Sequence, residues 1–361
     1  MYIVGQTGTG KSSLLLNLIR QDIQNGVGCC LVDPHGDLAQ QVISYAPKDH
    51  IYWDVADPDC PYGYNPLTYV TAEYRPLIAS GFIEILKKQW ADAWGARMEH
   101  LLRFALLALL ERPGSTIQDI IPLFLNKDFR RTVIKELEDE QVRDFWTQEF
   151  PAMNYKNAAD GVAPIANKLG AFLAHPIIRR ALCTPEQPLR MRTIIDEGRV
   201  LIVNLAKGKL GADAANIVGG LIVSSLANAA YSRQNQAPED RRPFFLYIDE
   251  FHSFTTAAFA DMLSELRKYG LGLVAANQHT SQIDQKVFEA ILGNVGTLIS
   301  FRVGATDAPI LAKQFGDTVP SARDLVGLAN YSVYIKLMID GVQSRPFSAR
   351  TLAPDAPNIT K

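Results

Sequence analysis

Residues 5–12 read GQTGTGKS, and no other stretch restricts the fold as strongly. They fit the pattern G-x-x-x-x-G-K-[S/T], with Gly5, Gly10, Lys11 and Ser12 at the fixed positions. Such a loop works only between a strand and a helix, because its binding groups are successive backbone N–H groups and the helix N-terminus. Both flanks are present: YIV at 2–4 ends a strand, and KSSLLLNLIRQDIQ at 11–24 has helical apolar spacing closed by Asn25-Gly26. Gly8 and Gly10 let the backbone approach an anion with no side chain between them. The pattern predicts that Gly5, Gln6, Thr7, Gly8, Thr9, Gly10, Lys11, Ser12 and Ser13 enclose the phosphates of a nucleoside triphosphate. Lys11 would reach the β and γ phosphates and the Ser12 hydroxyl would bind Mg2+.

The surrounding pattern is strand, helix, strand. GCCLVDPHGD at 28–37 reads as a buried strand stopped by Pro34 and Gly36, and HIYWDVA at 50–56 as another. From 72 to 196 strand runs give way to helical patterns such as ARMEHLLRFALLALLER and DFRRTVIKELED. Strands return with RVLIVNLA from 199, PFFLYIDEF at 243–251, LGLVAANQ at 271–278 and GTLISFRV at 296–303. The tail YSVYIKLMIDGVQSRPFSAR reads as two antiparallel strands around Asp340-Gly341. The expectation is an α/β fold with a mostly parallel central sheet. Residues 1–71 and 197–361 would form the nucleotide-binding domain, with 72–196 an inserted all-α domain.

Composition excludes little. With 47% hydrophobic and 20% charged residues among 361, the chain reads as an ordinary globular protein. A net charge of −2 gives no global basic signature, although a ring-shaped protein needs positive charge only on its inner surface to hold DNA. The four cysteines (Cys29, Cys30, Cys60, Cys183) have no metal spacing and read as reduced thiols. The apolar runs at 101–110 and 217–230 fall short of the ~20 residues that span a bilayer.

Five further stretches carry candidate chemistry. FFLYIDEF places Asp249 and Glu250 at the end of a buried strand, where acids face the ligand crevice. Asp249 would hold Mg2+ through water, and Glu250 would polarise the attacking water. LVAANQ ends in Asn277 and Gln278, buried amides that need partners; Gln278 is either a sensor of the γ-phosphate or a turn cap. Arg267, in SELRKYG, is either a cation at a helix C-terminus or an arginine finger reaching a neighbouring subunit. Arg302, in SFRV, fits a phosphate sensor or an internal ion pair. Asp33, in DPHGD, reads more readily as a turn cap than as a crevice residue.

Together GQTGTGKS, VDPHGDL, NPL at 65–67, VLIVNLAKGKLG at 200–211, YIDEFHSF at 247–254, LRKYGLGLVAANQ at 266–278 and GNVGTLISFRVGATDA at 293–308 resemble the HerA–FtsK superfamily of RecA-like motor ATPases. The resemblance covers nearly the whole chain and is nearer to the TraG/TraD branch, the coupling ATPases of conjugation and type IV secretion. It implies a RecA-like P-loop fold and a homo-hexameric ring that moves DNA with ATP and Mg2+. It also implies nucleotide between subunits, Gln278 as sensor, Arg267 as a finger acting in trans, and a helical insert that meets DNA and relaxosome proteins. A HerA-type motor working with a nuclease, or a nucleotide-gated module that docks relaxase or effector proteins, shares the same residues. Family members carry residues before the first strand, usually transmembrane helices or a small β-barrel, whereas only Met1 to Val4 precede Gly5 here. The resemblance thus implies a cytoplasmic protein at the inner face of the membrane, attached through a missing N-terminal region or a partner.

Overall fold

The computed structural model describes residues 1–68, 70–153, 155–316 and 319–354. The chain forms two compact units, one from residues 1–53, 191–208 and 229–361, the other from 54–190 and 209–228.

The first unit is built on a nine-stranded sheet: β1 (Tyr2–Val4), β2 (Gly28–Asp33), β3 (Ile51–Asp54), β4 (Val200–Asn204), β5 (Phe244–Ile248), β6 (Leu271–Asn277), β7 (Leu298–Ser300), β8 (Ser332–Lys336) and β9 (Phe347–Arg350). Their order across the sheet is β9-β8-β7-β1-β6-β5-β2-β4-β3. Pairings from β7 through β1, β6, β5 and β2 to β4 are parallel. The β8 and β9 strands add an antiparallel edge. Parallel strands need helical crossovers on both faces, so they read as continuous apolar runs, as GCCLVD and VLIVN do.

One face of this sheet carries Leu31, Ile202, Tyr247, Val274 and Ile299, alternate residues packed against Leu15, Leu16 and Ile19 of α1 (Lys11–Gln24) and Leu38 and Val42 of α2 (Asp37–Ile43). Cross-strand register keeps them in line: Leu31 lies beside Ile202 and Tyr247, and Tyr247 beside Val274. The expected tail hairpin is present. Asp340 and Gly341 have φ of 48° and 81°, the left-handed pair that a two-residue hairpin turn requires. The GTLISFRV strand is shorter than its apolar run. Beyond Ser300 the backbone leaves the ladder to hold the phosphate loop, with the Gln6 N–H donating to Arg302 O at 2.9 Å.

The second unit is helical, around Arg75–Gln89, Ala96–Glu111 and Tyr155–Ala174. Leu101, Leu102, Ala105, Leu106 and Leu109 form a buried face, and Phe104 stacks on Phe145 with ring centroids 4.2 Å apart. The unit extends beyond the 72–196 span of helical texture. Asn65 Nδ2 donates to Ser115 O at 2.9 Å, which ties the NPL turn into it. Helix Ala212–Tyr231 contributes residues 212–228, and Gly220 gives the space that Ile85 fills. That helix is long and apolar enough to cross a membrane, but it is mostly buried within the protein. Residues 191–196 belong to the first unit, where Asp196 accepts a 2.8 Å bond from the fully buried Arg233.

The β2 strand begins where a side chain has no room. A Cβ on Gly28 would lie 2.6 Å from the Gly198 backbone, which cannot yield as a side chain would. Gly28→Ala is expected to destabilise the chain by about 1–3 kcal/mol. A Cβ on Gly293, in helix Gln285–Asn294, would meet nothing. Thermal denaturation should show a lowered Tm for Gly28→Ala and an unchanged or slightly raised one for Gly293→Ala.

Candidate active site

The carboxyl ends of β1, β6, β5, β2 and β4, neighbours in that order, meet at one edge of the sheet. In an open parallel sheet this is where ligands bind. The ends of β1, β6, β5 and β2 line a cleft of about 360 Å3, and the loop after β4 reaches it through Lys207 beside Glu250. Thr7, Gly8, Gly10, Lys11, Ser12 and Ser13 form one wall, and Asp33, His35, Asp249, Glu250 and Gln278 face it.

The loop after β1 is shaped by glycine and by its own lysine. Gly8 and Gly10 have φ of 77° and 115°, open to residues without a Cβ. The Lys11 ammonium folds back over the loop, donating to Gly5 O at 2.6 Å and Gln6 O at 3.1 Å. Gly5, Gln6 and Thr9 do not line the cleft. Gly5 is wedged so close to Phe301 that a Cβ would lie 2.5 Å from it, and the Thr9 hydroxyl donates to Gln6 O at 2.7 Å. The Gln6 side chain accepts from Arg302 Nε at 3.3 Å, while Arg302 also donates to Leu328 O at 3.2 Å. Arg302 thus braces the loop from behind and, among the described residues, makes no carboxylate pair.

After β5 the chain turns sharply at Glu250, whose φ is +50°. A non-glycine residue in this region costs on the order of 1 kcal/mol and persists only where surrounding bonds fix it. Here the Glu250 N–H donates to Asp249 Oδ1 at 3.0 Å, and its carboxylate is held from three sides. Gln278 Nε2 donates to Oε1 at 3.2 Å, His35 Nε2 lies 3.1 Å from the same oxygen, and Lys207 Nζ is 3.7 Å from Oε2. Gln278 also accepts from the Thr7 hydroxyl at 2.9 Å. One amide therefore joins the phosphate loop to the acid after β5. Asn277 is fully buried and accepts from the His252 N–H at 3.1 Å, fixing the turn that follows Glu250.

The charges are unbalanced. Burial first, then the nearby Asp33 carboxylate, push Asp249 up to about 6. Burial also works against ionised Glu250, but the His35 bond and the charges of His35, Lys207 and His252 outweigh it and hold its carboxyl below the usual value. Burial lowers Lys11, opposed by Asp249 and Glu250. Asp33 is a turn cap, accepting from the N–H groups of His35 at 2.9 Å and Ala39 at 2.8 Å, and it borders the cleft as well.

This donor set fits Mg2+. Among the described residues there is no cluster of three or more His, Cys, Asp or Glu able to cage a metal ion. Magnesium is instead bound through one or two protein oxygens, with phosphate and water completing its shell. Asp249 and the exposed Ser12 hydroxyl offer such oxygens in a cleft that carries surplus negative charge.

Arg267 is not brought into this cleft. It is exposed, at the amino end of β6, with no side-chain partner among the described residues. Three residues that sequence reasoning missed are present. His35 and Lys207 follow β2 and β4, and Tyr331 lies against Gly10, where an added Cβ would be 2.7 Å from the tyrosine ring. The DPHGD turn is read in the sequence for its aspartate, chiefly as a turn cap, and not for its histidine. Tyr331 has no local signal.

Residues 1–321 match the family described as the type IV secretion-system coupling protein DNA-binding domain. No curated protein sequence matches the chain. Among solved structures, it is similar to the bacterial conjugative coupling protein TrwBdeltaN70, at 19% identity and a TM-score of 0.74, over 100% of this chain and 86% of that one. TrwB in complex with the non-hydrolysable ATP analogue ADPNP matches at 19% identity and a TM-score of 0.71, over 100% of this chain and 87% of that one. VirB4 of Thermoanaerobacter pseudethanolicus matches at 11% identity and a TM-score of 0.61, over 99% and 90%. These likenesses confirm the RecA-like α/β fold.

The raised Asp249 value has a testable sign. The folded chain holds this proton more tightly than the unfolded one, so ionising Asp249 is unfavourable until a cation faces it. Stabilisation of the chain by Mg2+ with a nucleotide should fade as pH falls through about 6. Asp33→Asn removes the neighbouring negative charge and should move that fade to lower pH, as read by thermal shift across a pH series.

Proposed function

Since this chain belongs to the type IV secretion-system coupling protein DNA-binding domain family, we propose that it is an ATP-hydrolysing motor that drives DNA through a ring of six copies during conjugation or type IV secretion. One observation carries the reading: Gln278 is bonded at once to Thr7 of the phosphate loop and to Glu250. A loop that only held a nucleotide would need no acid and amide so placed.

In this reading the N–H groups of the loop and the helix N-terminus hold the triphosphate. Lys11 releases the Gly5 and Gln6 carbonyls to pair with the β and γ phosphates. Ser12, and Asp249 through water, would hold Mg2+, which when bound would supply positive charge against the phosphates. Glu250, held ionised by its basic neighbours, accepts a proton from the attacking water. Gln278 orients that water, and its bonds to Thr7 and Glu250 let the state of the γ-phosphate act on both.

Arg267 completes the site of a neighbouring copy. The seven residues of β6, at about 3.3 Å each, separate it from the cleft of its own chain by more than an arginine side chain can reach. Its exposure, and the lack of a side-chain partner among the described residues, support the finger over the capping role. Residues 72–190 form the body of a helical domain that meets DNA or the proteins delivering it, at the cytoplasmic face of the membrane.

Purified chain should hydrolyse ATP with Mg2+ and do so faster with DNA. Lys11→Ala and Glu250→Gln should each abolish turnover, and full activity in Glu250→Gln would remove that residue from its role. Arg267→Ala should also be inactive. Mixed with Lys11→Ala, however, it should regain part of the activity, because rings of both contain interfaces with an intact loop and an intact finger. No recovery on mixing would count against action in trans.

A further inference from the structure

A second hollow, of about 530 Å3, opens beside the phosphate cleft and shares Ser13 and Tyr331 with it. Its other walls are Arg350, Thr351, Leu352, Ala353 and Pro354. The volume lies within the range of roughly 300–1,000 Å3 that ligand hollows occupy. We infer that this hollow takes the base and ribose of the nucleotide, with the Tyr331 ring as the surface on which the base stacks. The inference rests on the nucleotide reading above and assigns the half of the ligand that the phosphate loop does not recognise.

The direction of the bound chain follows from the cleft. Glu250, Gln278 and Lys11 mark the γ end. The α-phosphate lies at the other end of the loop, beside Ser13, and whatever is attached to it leaves past that residue. Ser13 is where the second hollow begins.

Tyr331 is fixed there by its backbone. Its φ is +64°, in the region that non-glycine residues avoid. Two ties hold it: its N–H donates to Thr9 O at 2.8 Å, and its carbonyl accepts from the Thr351 N–H at 2.8 Å. The Thr351 hydroxyl donates to the same carbonyl at 3.2 Å. One tie reaches the phosphate loop and the other the strap at 350–354. The strap is anchored again by Asn17 of α1, whose amide donates to Leu352 O at 3.0 Å. The ring itself remains 42% exposed, and Leu352 is 75% exposed. A strained backbone held by bonds to the loop, carrying an uncovered ring at the mouth of a hollow, is the arrangement of a ligand surface rather than of a core. An aromatic face accepts any base, because every base has a π-face to offer.

Calorimetric titration of the full chain, in Mg2+, with a non-hydrolysable ATP analogue and with inorganic tripolyphosphate separates the two halves. Tyr331→Ala should weaken the analogue about tenfold and leave tripolyphosphate unchanged, because the main-chain ties to the loop remain. Tyr331→Phe should bind both as the wild type does. Leu352→Asp, a change at an exposed side chain, should also weaken the analogue alone. Equal weakening of both ligands by Tyr331→Ala, or no weakening of either, overturns the base site. A wild-type chain that binds neither ligand overturns the nucleotide reading itself, and the base site with it.

Discussion

Three carboxylates, Asp33, Asp249 and Glu250, share one edge of a buried sheet with a single buried ammonium, Lys11. That crowding is what the rest of the structure is arranged to sustain. Charges gathered this closely away from water repel one another strongly, and a flexible loop would let them separate. Here each acid sits at the end of a strand or in the turn after it, and the strands are locked by parallel ladders from β7 to β4. Burial first, and then repulsion from Asp33, push Asp249 up to about 6. A divalent cation with phosphate at this edge would exchange that repulsion for attraction, so ligand binding and relief of strain become one event.

Backbone strain gathers at the same place. Among the described residues, four non-glycine residues have positive φ: Ala206, Glu250, Tyr331 and Asp340. The last belongs to a hairpin turn, where that geometry is expected. The other three stand around the cleft. Ala206 precedes Lys207, whose N–H donates to Pro34 O at 2.9 Å and brings the loop after β4 against the DPHG turn. Glu250 turns its carboxylate toward Gln278 and His35. Tyr331 donates its N–H to Thr9 O of the phosphate loop, and Ala206 donates to Asn204 Oδ1 at the end of β4, so these conformations are fixed by bonds around the cleft.

This division explains which parts of the protein were legible in the sequence. The loop at 5–13, the acids at 249–250 and the amide at 278 could be read because their signals are local: a spacing, or polar residues closing an apolar run. The α/β order and the tail hairpin followed from the same patterns. What brings His35 and Lys207 to Glu250 is strand order, which places β2 beside both β5 and β4 across long stretches of sequence, and no local pattern encodes that neighbourhood. The extent of the helical unit was hidden for a related reason. Residues 212–228 fall within the 197–361 span expected to join the nucleotide-binding domain, and only packing such as Gly220 against Ile85 places them in the helical unit. Arg267 stayed ambiguous because the anion proposed for it lies on another copy of the chain, and a single sequence does not show its neighbours.

The position of Arg267 also gives β6 a double duty. In the proposed ring, the carboxyl end of this strand presents Gln278 to the nucleotide of its own chain, while the turn before its amino end presents Arg267 to the nucleotide of the next. The strand between them pairs with β5 over Leu271–Ala275 and with β1 over Ala275–Asn277, so each of its residues has a ladder partner. A rigid element with one sensor at each end cannot shift for one site without moving at the other. In that proposal, loss of a γ-phosphate would free Gln278 from one contact, and a displacement of the strand would be felt at Arg267. The link between successive sites would then be a seven-residue strand in the centre of a sheet.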